Sequence, residues 1–166
     1  MKQNIFVFSL YRNPDLDDRI FDCLLTSMAA AQAEDVRASF LFAGDLNGHH
    51  QEWLGSTTTN RHGVAAFDFT TVSGCFQLVV SPTHARGGTL DLLMTDVPDL
   101  VQVSVVAPIG NSDHSSLSFR LFRLFETFVL VGKFSLNIML IGIQCVLQCR
   151  IYTGVTFGLL TILLRF

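Results

Sequence analysis

The stretch of sequence that decides the fold reads Ser39-Phe40-Leu41-Phe42-Ala43-Gly44-Asp45-Leu46-Asn47. Its first five residues form a short, mostly apolar run, as expected of a β-strand that is covered on both faces. The run stops at Gly44, and polar residues follow at once. Residues at the carboxyl end of a buried strand project into the crevice where open α/β sheets bind ligands, so these polar residues are candidates for chemistry.

Upstream of this stretch the sequence predicts one strand and one helix. Residues 5–10 are a second apolar run of strand length. Asn13 is a good N-cap residue and Pro14 suits the first helical position, so we expect a helix from there to about Gln32. Acidic residues favour a helix N-terminus, and they follow at Asp15, Asp17 and Asp18. The apolar stripe of this helix comprises Leu16, Ile20, Leu24 and Met28.

Downstream of Asn47 the pattern predicts a second helix and four more strands. The helix spans 62–73 and is closed by Gly74, and a loop is expected at 81–88. The strands are expected at 76–80, 89–94, 101–107 and 115–121. The resulting order, β-α-β-α-β-β-β-β, predicts an α/β fold with a mixed sheet and helices outside it.

The chain of 166 residues has two parts that differ in their content of charged residues. Charged residues make up only 15% of it, against roughly 25% in typical soluble domains. The deficit lies at the C-terminal end, since residues 124–166 hold four charges, at Glu126, Lys133, Arg150 and Arg165. We therefore expect one domain over residues 1–122 and a hydrophobic, helical tail over 123–166.

The tail leaves several interpretations open. Residues 134–149 and 151–164 are uncharged runs of 16 and 14 residues, whereas a helix that spans a membrane needs about 20. A single spanning helix over 134–164 would bury Arg150 at a cost of about 2.5 kcal/mol or more. The alternatives are two short re-entrant segments, or a tail that packs poorly or not at all.

Net charge and cysteine content bound the function only loosely. A net charge of −3 gives no general signal for nucleic-acid binding, but a metal site built from carboxylates is acidic before its metal binds. The cysteines at 23, 75, 145 and 149 form no CxxC pair, and the N-terminal run has no small-residue cleavage site after it. We therefore expect an intracellular protein, nuclear or cytoplasmic, with membrane association through the tail as the alternative.

The first candidate site pairs Asp45 with Asn47. Two side chains that lie two residues apart on an extended segment can face the same side. Asp can hold a hard divalent cation or orient water, and Asn can hydrogen-bond a phosphate oxygen or that water. An Asx-rich turn after the strand is an equally good interpretation of this segment taken alone.

A second candidate site lies at Asp113 and His114, directly before the last predicted strand. Asp113 is a candidate metal ligand, and His114 is a candidate general acid or base because a His pKa of about 6.5 suits proton transfer at neutral pH. A polar turn is the alternative. Asp91 lies inside an otherwise apolar strand, which is costly for a carboxylate unless it is paired or binds a metal. We expect His114 to be its partner.

Other polar residues near these motifs are weaker candidates for a functional role. His49 and His50 are predicted to be surface groups rather than metal ligands, because adjacent side chains diverge on an extended segment. Trp53 is predicted to pack under that loop. His84 and Arg86 lie in the predicted loop 81–88, where contact with a nucleic-acid backbone and a mobile polar loop both stay open.

Four motifs in series resemble those of the endonuclease/exonuclease/phosphatase family. They are Tyr11-Arg12-Asn13-Pro14, Gly44-Asp45-Leu46-Asn47 with His49, His50 and Trp53 after it, Gly88-Thr89-Leu90-Asp91, and Ser112-Asp113-His114. Within that family the chain is most similar to the apurinic-type endonuclease domains of non-LTR retrotransposons, which nick target DNA before reverse transcription. The resemblance covers about residues 5–119 and implies a partial two-sheet α/β sandwich.

The resemblance also implies a reaction and a role for each residue. The reaction is hydrolysis of a phosphodiester in DNA, with Mg²⁺ or Mn²⁺ and without an organic cofactor. Tyr11 becomes a hydrogen-bonding residue on the phosphate side. Asp45 orients or activates the attacking water, and Asn47 contacts the scissile phosphate.

The remaining roles concern the imidazole and the metal. By resemblance, Asp91 pairs with His114 and fixes its tautomer. His114 then acts on the phosphate as an acid/base or as a stabiliser of charge. Asp113 helps to hold the metal ion, with Asp45 as the second carboxylate at that ion.

The sequence also departs from the family. Its members carry an Asn at the end of a first strand and then a metal-binding Glu, both well before the Tyr motif, whereas ten residues precede Tyr11 here. Asn4 lies too close to Tyr11 to replace that Asn, and Glu34 is the first Glu of the chain. We therefore expect an N-terminally truncated domain with weak metal binding, because Mg²⁺ affinity depends on ligand charge. The alternatives to an active nuclease are a catalytically dead, membrane-tethered fragment and a phosphatase that acts on a small phosphorylated substrate.

Overall fold

The computed structural model describes residues 5–15 and 17–122, together with the backbone of 148–149 and 159–164. In chain order the elements are β1 (Ile5–Tyr11), α1 (Arg19–Glu34), β2 (Ser39–Asp45), α2 (Gln51–Leu54), α3 (Arg61–Ser73), β3 (Phe76–Gln77), β4 (Asp91–Thr95), a 3₁₀ helix (Pro98–Leu100), β5 (Val101–Val106), β6 (Ser116–Phe122), β7 (Gln148–Cys149) and β8 (Leu159–Leu164). They form two sheets, and the predicted α/β class is confirmed.

The first sheet has the strand order β1-β2-β4-β3 and is mixed, as predicted. β1 runs parallel to β2, with α1 as the crossover between them, and β4 runs antiparallel to both of its neighbours. Every residue of β2 is buried, and the strand continues through Gly44 to Asp45. Gly44 allows the close approach of β1, because a Cβ at this position would lie 1.7 Å from the carbonyl oxygen of Leu10.

The two faces of this sheet are covered differently. On one face the helices pack through aromatic rings: Phe69 of α3 meets Phe42 edge to face at 5.3 Å and Phe21 of α1 at 5.4 Å. The other face packs against β6, and the shared core comprises Leu41, Ala43, Leu93, Leu117 and Phe119. The helices therefore cover one face and the second sheet covers the other, as in the expected two-sheet sandwich.

The first helix begins at Arg19 and not at Pro14. Asn13 closes a local turn instead of capping the helix, because its side chain accepts the backbone N–H of Asp15 at 3.0 Å. Asp18 occupies the N-cap position without a side-chain cap bond, since its carboxylate pairs with buried groups behind the helix start. The buried stripe is present at 24 and 28, and residue 16 lies outside the described residues.

Two strands also differ from their predicted limits. The strand expected at 76–80 is only Phe76–Gln77, and the one expected at 89–94 is Asp91–Thr95. The later start of β4 has a local cause, because the Thr83 hydroxyl accepts the backbone N–H groups of Leu90 and Asp91, each at 3.0 Å. The second helix is confirmed as Arg61–Ser73.

The C-terminal tail is described at eight residues only. Leu159–Leu164 forms a strand that pairs antiparallel with β6, so the helix expected at these residues is wrong. The open edge of β6 offers this segment backbone hydrogen-bond partners along its length. The remainder of 123–166 lies outside the described residues, so the division at residue 122 stays a prediction. Nowhere in the described part of the chain is a helix both long and apolar enough to cross a membrane.

Candidate active site

Three of the predicted site residues form a row across one end of the first sheet. Tyr11 is the register partner of Asp45, and Asp45 is the register partner of Asp91. Register partners on adjacent strands point to the same face, and here it is the face that carries Leu41 and Ala43 against the second sheet. Tyr11 is exposed, whereas Asp45 and Asp91 are buried. The row therefore runs from solvent into the space between the sheets.

The predicted pairing of Asp91 with His114 is confirmed. His114 Nδ1 lies 2.9 Å from Asp91 Oδ2, and the Asp91 side chain is fully buried. Because an ionised carboxylate is acceptor-only, Nδ1 carries the proton and donates it, which leaves Nε2 as the reactive nitrogen. Within the described residues, Asp91 Oδ1 has no hydrogen-bond partner. A buried carboxylate oxygen without a partner is costly, so this atom points to a ligand of the site.

His114 is partly buried, and its surroundings favour the charged ring. Burial lowers the pKa of His114, but the hydrogen bond and the negative charge of Asp91 outweigh this, with help from Asp45 and Asp113. The net effect is a pKa raised above the ordinary value for His. The imidazole is therefore suited to hold a proton near a negatively charged substrate.

The surroundings of Asp45, in contrast, disfavour its charged form. Burial raises the pKa of this carboxyl, and the charge of Asp91 raises it further, while hydrogen bonds from Asn47 and the charge of His114 oppose the shift. Two carboxylates this close repel each other in a poorly solvated place. A cation between them would remove the repulsion, so the pair is arranged as a cation site.

Asn47 does not lie on an extended segment, so that expectation was wrong. Its φ angle is 48°, in the left-handed region that Asn tolerates better than most residues. The backbone N–H of Asn47 donates to Asp45 Oδ1 at 3.0 Å, which is the Asx turn left open by the sequence. Asn47 Nδ2 donates to the carbonyl oxygen of Arg12 at 2.9 Å. The turn and the bond to Arg12 together orient the amide beside Asp45.

Arg12 holds this turn from behind, a role that the sequence did not reveal. It is only 1% exposed, its backbone N–H donates to the Asp45 carbonyl at 2.8 Å, and Nη1 donates to the Leu46 carbonyl at 3.4 Å. The guanidinium also contacts His62 and lies 3.4 Å from Asp18. Burial lowers the pKa of Arg12, and the charge of Asp18 partly offsets the effect. Its place in the Tyr-Arg-Asn-Pro motif was the available signal.

The potential metal ligands of the described residues fall into two groups that share His114. Asp45, Asp91 and His114 each offer a ligand atom within 4.8 Å of the others, and so do His84, Asp113 and His114. The two predicted metal ligands, Asp45 and Asp113, therefore belong to different groups. Hard cations such as Mg²⁺ prefer oxygen ligands, and the unpartnered Asp91 Oδ1 makes the first group fit such an ion.

Asp113 lies at the exposed edge of the site. The pKa of Asp113 is lowered, first by a hydrogen bond from its own backbone N–H and also by one from His84. His84 is thus brought into the site from a loop for which the sequence left two interpretations open, contact with a nucleic-acid backbone and a mobile polar loop. A histidine in a loop carries no periodicity, and no sequence signal linked His84 to Asp113.

Trp53 packs as predicted, whereas the prediction that His49 and His50 are surface groups was wrong. None belongs to a ligand group among the residues that the structure describes. His50 Nδ1 accepts the backbone N–H of Trp53 at 3.2 Å and so caps α2. The His50 ring stacks on Phe67 with centroids 5.4 Å apart, and Trp53 packs against the core. Both histidines are half-buried rather than on the surface.

Comparison with known proteins identifies the family of this chain. A family model described as endonuclease-reverse transcriptase matches residues 5–118, which include every predicted site residue from Tyr11 to His114. No curated protein and no solved structure matches the chain. Since the match covers more than half of the sequence, the chain belongs to the endonuclease-reverse transcriptase family, the retrotransposon-type branch of the endonuclease/exonuclease/phosphatase enzymes.

Proposed function

We propose that this chain is a metal-dependent endonuclease that hydrolyses phosphodiester bonds in DNA. The observation that carries the proposal is the buried Asp91–His114 pair beside Asp45, at one end of the sheet. Paired carboxylates with an adjacent imidazole supply both a water-orienting group and a proton donor. Membership of an endonuclease family supports the same reaction class.

Asp45 acts on the attacking water, and the other site residues act on the phosphate. Asp45 Oδ1 is committed to the Asn47 backbone, so Oδ2 is the atom that orients the attacking water and receives its proton. His114 Nδ1 is committed to Asp91, so Nε2 donates to a phosphate oxygen while the ring is protonated. The Tyr11 hydroxyl contacts the phosphate from the exposed end of the row. The Asn47 amide, one of whose hydrogens is bound to the Arg12 carbonyl, contacts it from beside Asp45.

The proposed cofactor is Mg²⁺ or Mn²⁺. Asp45 and Asp91 belong to one ligand group and would hold the ion through carboxylate oxygens; Asp113 belongs to the other group, which shares His114, and would bind from the exposed edge. When bound, the ion neutralises negative charge that develops on the phosphoryl oxygens and the leaving group. Asp45 itself orients the water, and protonated His114 donates its Nε2 hydrogen to the phosphate. Tyr11 and Asn47 keep the phosphate in place.

Plasmid nicking in the presence of Mg²⁺ tests the proposal. Asp45→Ala and His114→Ala are each expected to nick about 10²–10⁴-fold more slowly than the wild type. The matched control is Asp96→Asn, which replaces a half-buried carboxylate at the other end of the sheet that accepts the Phe40 backbone N–H. This variant should nick at the wild-type rate.

Two results would contradict the proposal. Equal residual nicking by the wild type and both alanine variants would identify a catalytically dead domain. Hydrolysis of a small phosphomonoester that requires Asp45, with no nicking of plasmid, would identify a phosphatase instead. Both assays use the same protein preparations. The thermal unfolding curves of these preparations show whether a variant has lost its fold.

A further inference from the structure

His84 lies in a loop that is fastened to the segment carrying Asp113 and His114. The backbone N–H of Ala85 donates to the Asp113 carbonyl at 2.8 Å, and that of Ser115 donates to the Thr83 carbonyl at 2.7 Å. These bonds flank an antiparallel bridge between His84 and His114. The loop and the segment therefore form one unit, and the His84 side chain has a defined place within it.

The hydrogen bonds of the ring determine which nitrogen carries its proton. Nδ1 of His84 accepts the backbone N–H of Arg86 at 3.1 Å, so Nδ1 is unprotonated. In a neutral imidazole the proton is then on Nε2. Nε2 lies 3.2 Å from Asp113 Oδ2 and donates to it. The ring also meets the His114 ring edge to face, with centroids 4.9 Å apart.

This tautomer decides between two roles for His84. His84, Asp113 and His114 lie close enough together to bind a cation. A nitrogen that carries a proton has no lone pair for a metal, however, and the other nitrogen of His84 is occupied by Arg86. His84 is therefore a hydrogen-bond donor to Asp113 and not a ligand.

We propose that His84 is a positioning residue that holds the Asp113 carboxylate ready to bind the catalytic cation beside His114. The Asp113 side chain is 66% exposed, whereas that of His84 is 13% exposed, so a well-packed ring restrains a carboxylate that would otherwise rotate in solvent. Restraining a ligand in advance reduces the entropy lost when the cation binds. Such partners of metal ligands commonly change metal affinity by about 10–100-fold. The inference rests on the proposed function in one respect, namely that Asp113 binds the cation.

The tautomer can be measured in the wild-type chain without any substitution. Long-range ¹H–¹⁵N correlation spectra should show His84 with its proton on Nε2. A ring protonated on Nδ1 instead would overturn the inference, because Nε2 would then be free to bind metal. This measurement needs neither metal nor DNA, so its result does not depend on nuclease activity.

Two variants separate the donor from the ring. His84→Gln keeps an N–H donor at about the same reach, and His84→Phe keeps the ring that packs on His114 but has no donor. Broadening of the backbone signals of residues 113 and 114 by Mn²⁺ reports binding directly. We expect His84→Phe to need about 10-fold more Mn²⁺ than the wild type, and His84→Gln to behave like the wild type.

Each outcome of the Mn²⁺ titration is decisive. Equal titrations for His84→Phe and the wild type overturn the inference, and so does equal loss in both variants, which identifies His84 as a ligand. Adding His84→Phe to Asp113→Asn should produce no further loss, and His84→Ala replaces His84→Phe throughout if the latter does not fold. Wild-type protein that binds Mn²⁺ as described but does not nick plasmid would overturn the proposed function alone.

Discussion

The imidazole of His114 donates its Nδ1 proton to Oδ2 of Asp91 across 2.9 Å, and the accepting carboxylate is fully buried. Asp91 is therefore both the group that orients the ring and a charge that must be compensated inside the protein. The other Asp91 oxygen has no partner among the described residues, and Asp45 lies beside it in register. This arrangement makes the site sensitive to substitution, to pH and to metal.

Replacing Asp91 by Asn should nearly abolish nicking. The amide is isosteric with the carboxylate, but it is neutral and no longer selects the Nδ1-protonated ring, so Nε2 loses its defined role. We expect a rate about 10²–10⁴-fold below that of the wild type. Plasmid nicking measures the rate, and Asp99→Asn is the control, because Asp99 is exposed in the 3₁₀ helix. A rate within about threefold of the wild type would show that the Asp91 charge is not needed.

The stabilising effect of His114 should weaken as the pH rises. The folded-state pKa of His114 is raised, because the bond and charge of Asp91 outweigh the effect of burial. Its contribution is therefore fully present below the unfolded-state pKa of about 6.5. It disappears as the pH rises through the higher folded-state pKa.

Urea unfolding of the wild type and His114→Gln at pH 6 and pH 9, without divalent metal, tests this sign. The difference in unfolding free energy between the two proteins should be larger at pH 6. Comparing two proteins at each pH removes the contributions of titrating groups that do not interact with His114, and the carboxylates that do interact with it titrate mainly below pH 6. A difference that grows toward pH 9 would mean that the neutral ring is the stabilised form.

Asp45→Asn should stabilise the metal-free protein at neutral pH. Burial first, and the Asp91 charge second, raise the pKa of Asp45, so the fold disfavours the ionised carboxylate. The penalty is absent below the unfolded-state value of about 3.9, where both states are protonated. It grows as the pH rises through the folded-state pKa. The variant keeps the oxygen that accepts the Asn47 N–H, so this turn is retained.

Thermal unfolding at pH 7.5 with and without Mg²⁺ measures the effect. Without metal the variant should melt above the wild type, and with Mg²⁺ the wild type should gain more, because it binds the ion more tightly. At pH 3 the two should melt together. If Mg²⁺ raises the melting temperature of both proteins equally, Asp45 is not a ligand.

Arg12→Met should destabilise the protein strongly. The side chain is 1% exposed and pairs with Asp18 and His62 beneath the active-site turn. Removing one partner of a buried ion pair costs about 3–5 kcal/mol. The matched control is Arg19→Met, which breaks an exposed pair with Asp17 and should leave the urea midpoint almost unchanged. Equal urea midpoints for the two variants would contradict the importance of burial here.

Several features of the fold could be predicted because neighbouring residues alone determine them. The mostly apolar run before Gly44 predicted the buried strand β2, and the apolar context of Asp91 predicted that it needs a partner. The start of α1 could not be predicted in this way. The sequence offered Asn13 as the cap and Asp18 only as an acidic residue of the first turn, but Asp18 occupies the N-cap position and its carboxylate bonds to His62, which is 44 residues away.

In the candidate site, too, some features depend on neighbouring residues and others on distant ones. The sequence by itself identified the candidate residues, since carboxylates, an amide and an imidazole lie beside the ends or beginnings of strands and match the motifs of a family of nucleases. Only the tertiary structure decided which atoms are committed: Nδ1 of His114 to Asp91, Oδ1 of Asp45 to Asn47, and Nε2 of His84 to Asp113. Local patterns depend on residues a few positions apart, whereas the bond from His84 to Asp113 spans 29 positions and exists only because two strands and a loop meet at one end of the sheet.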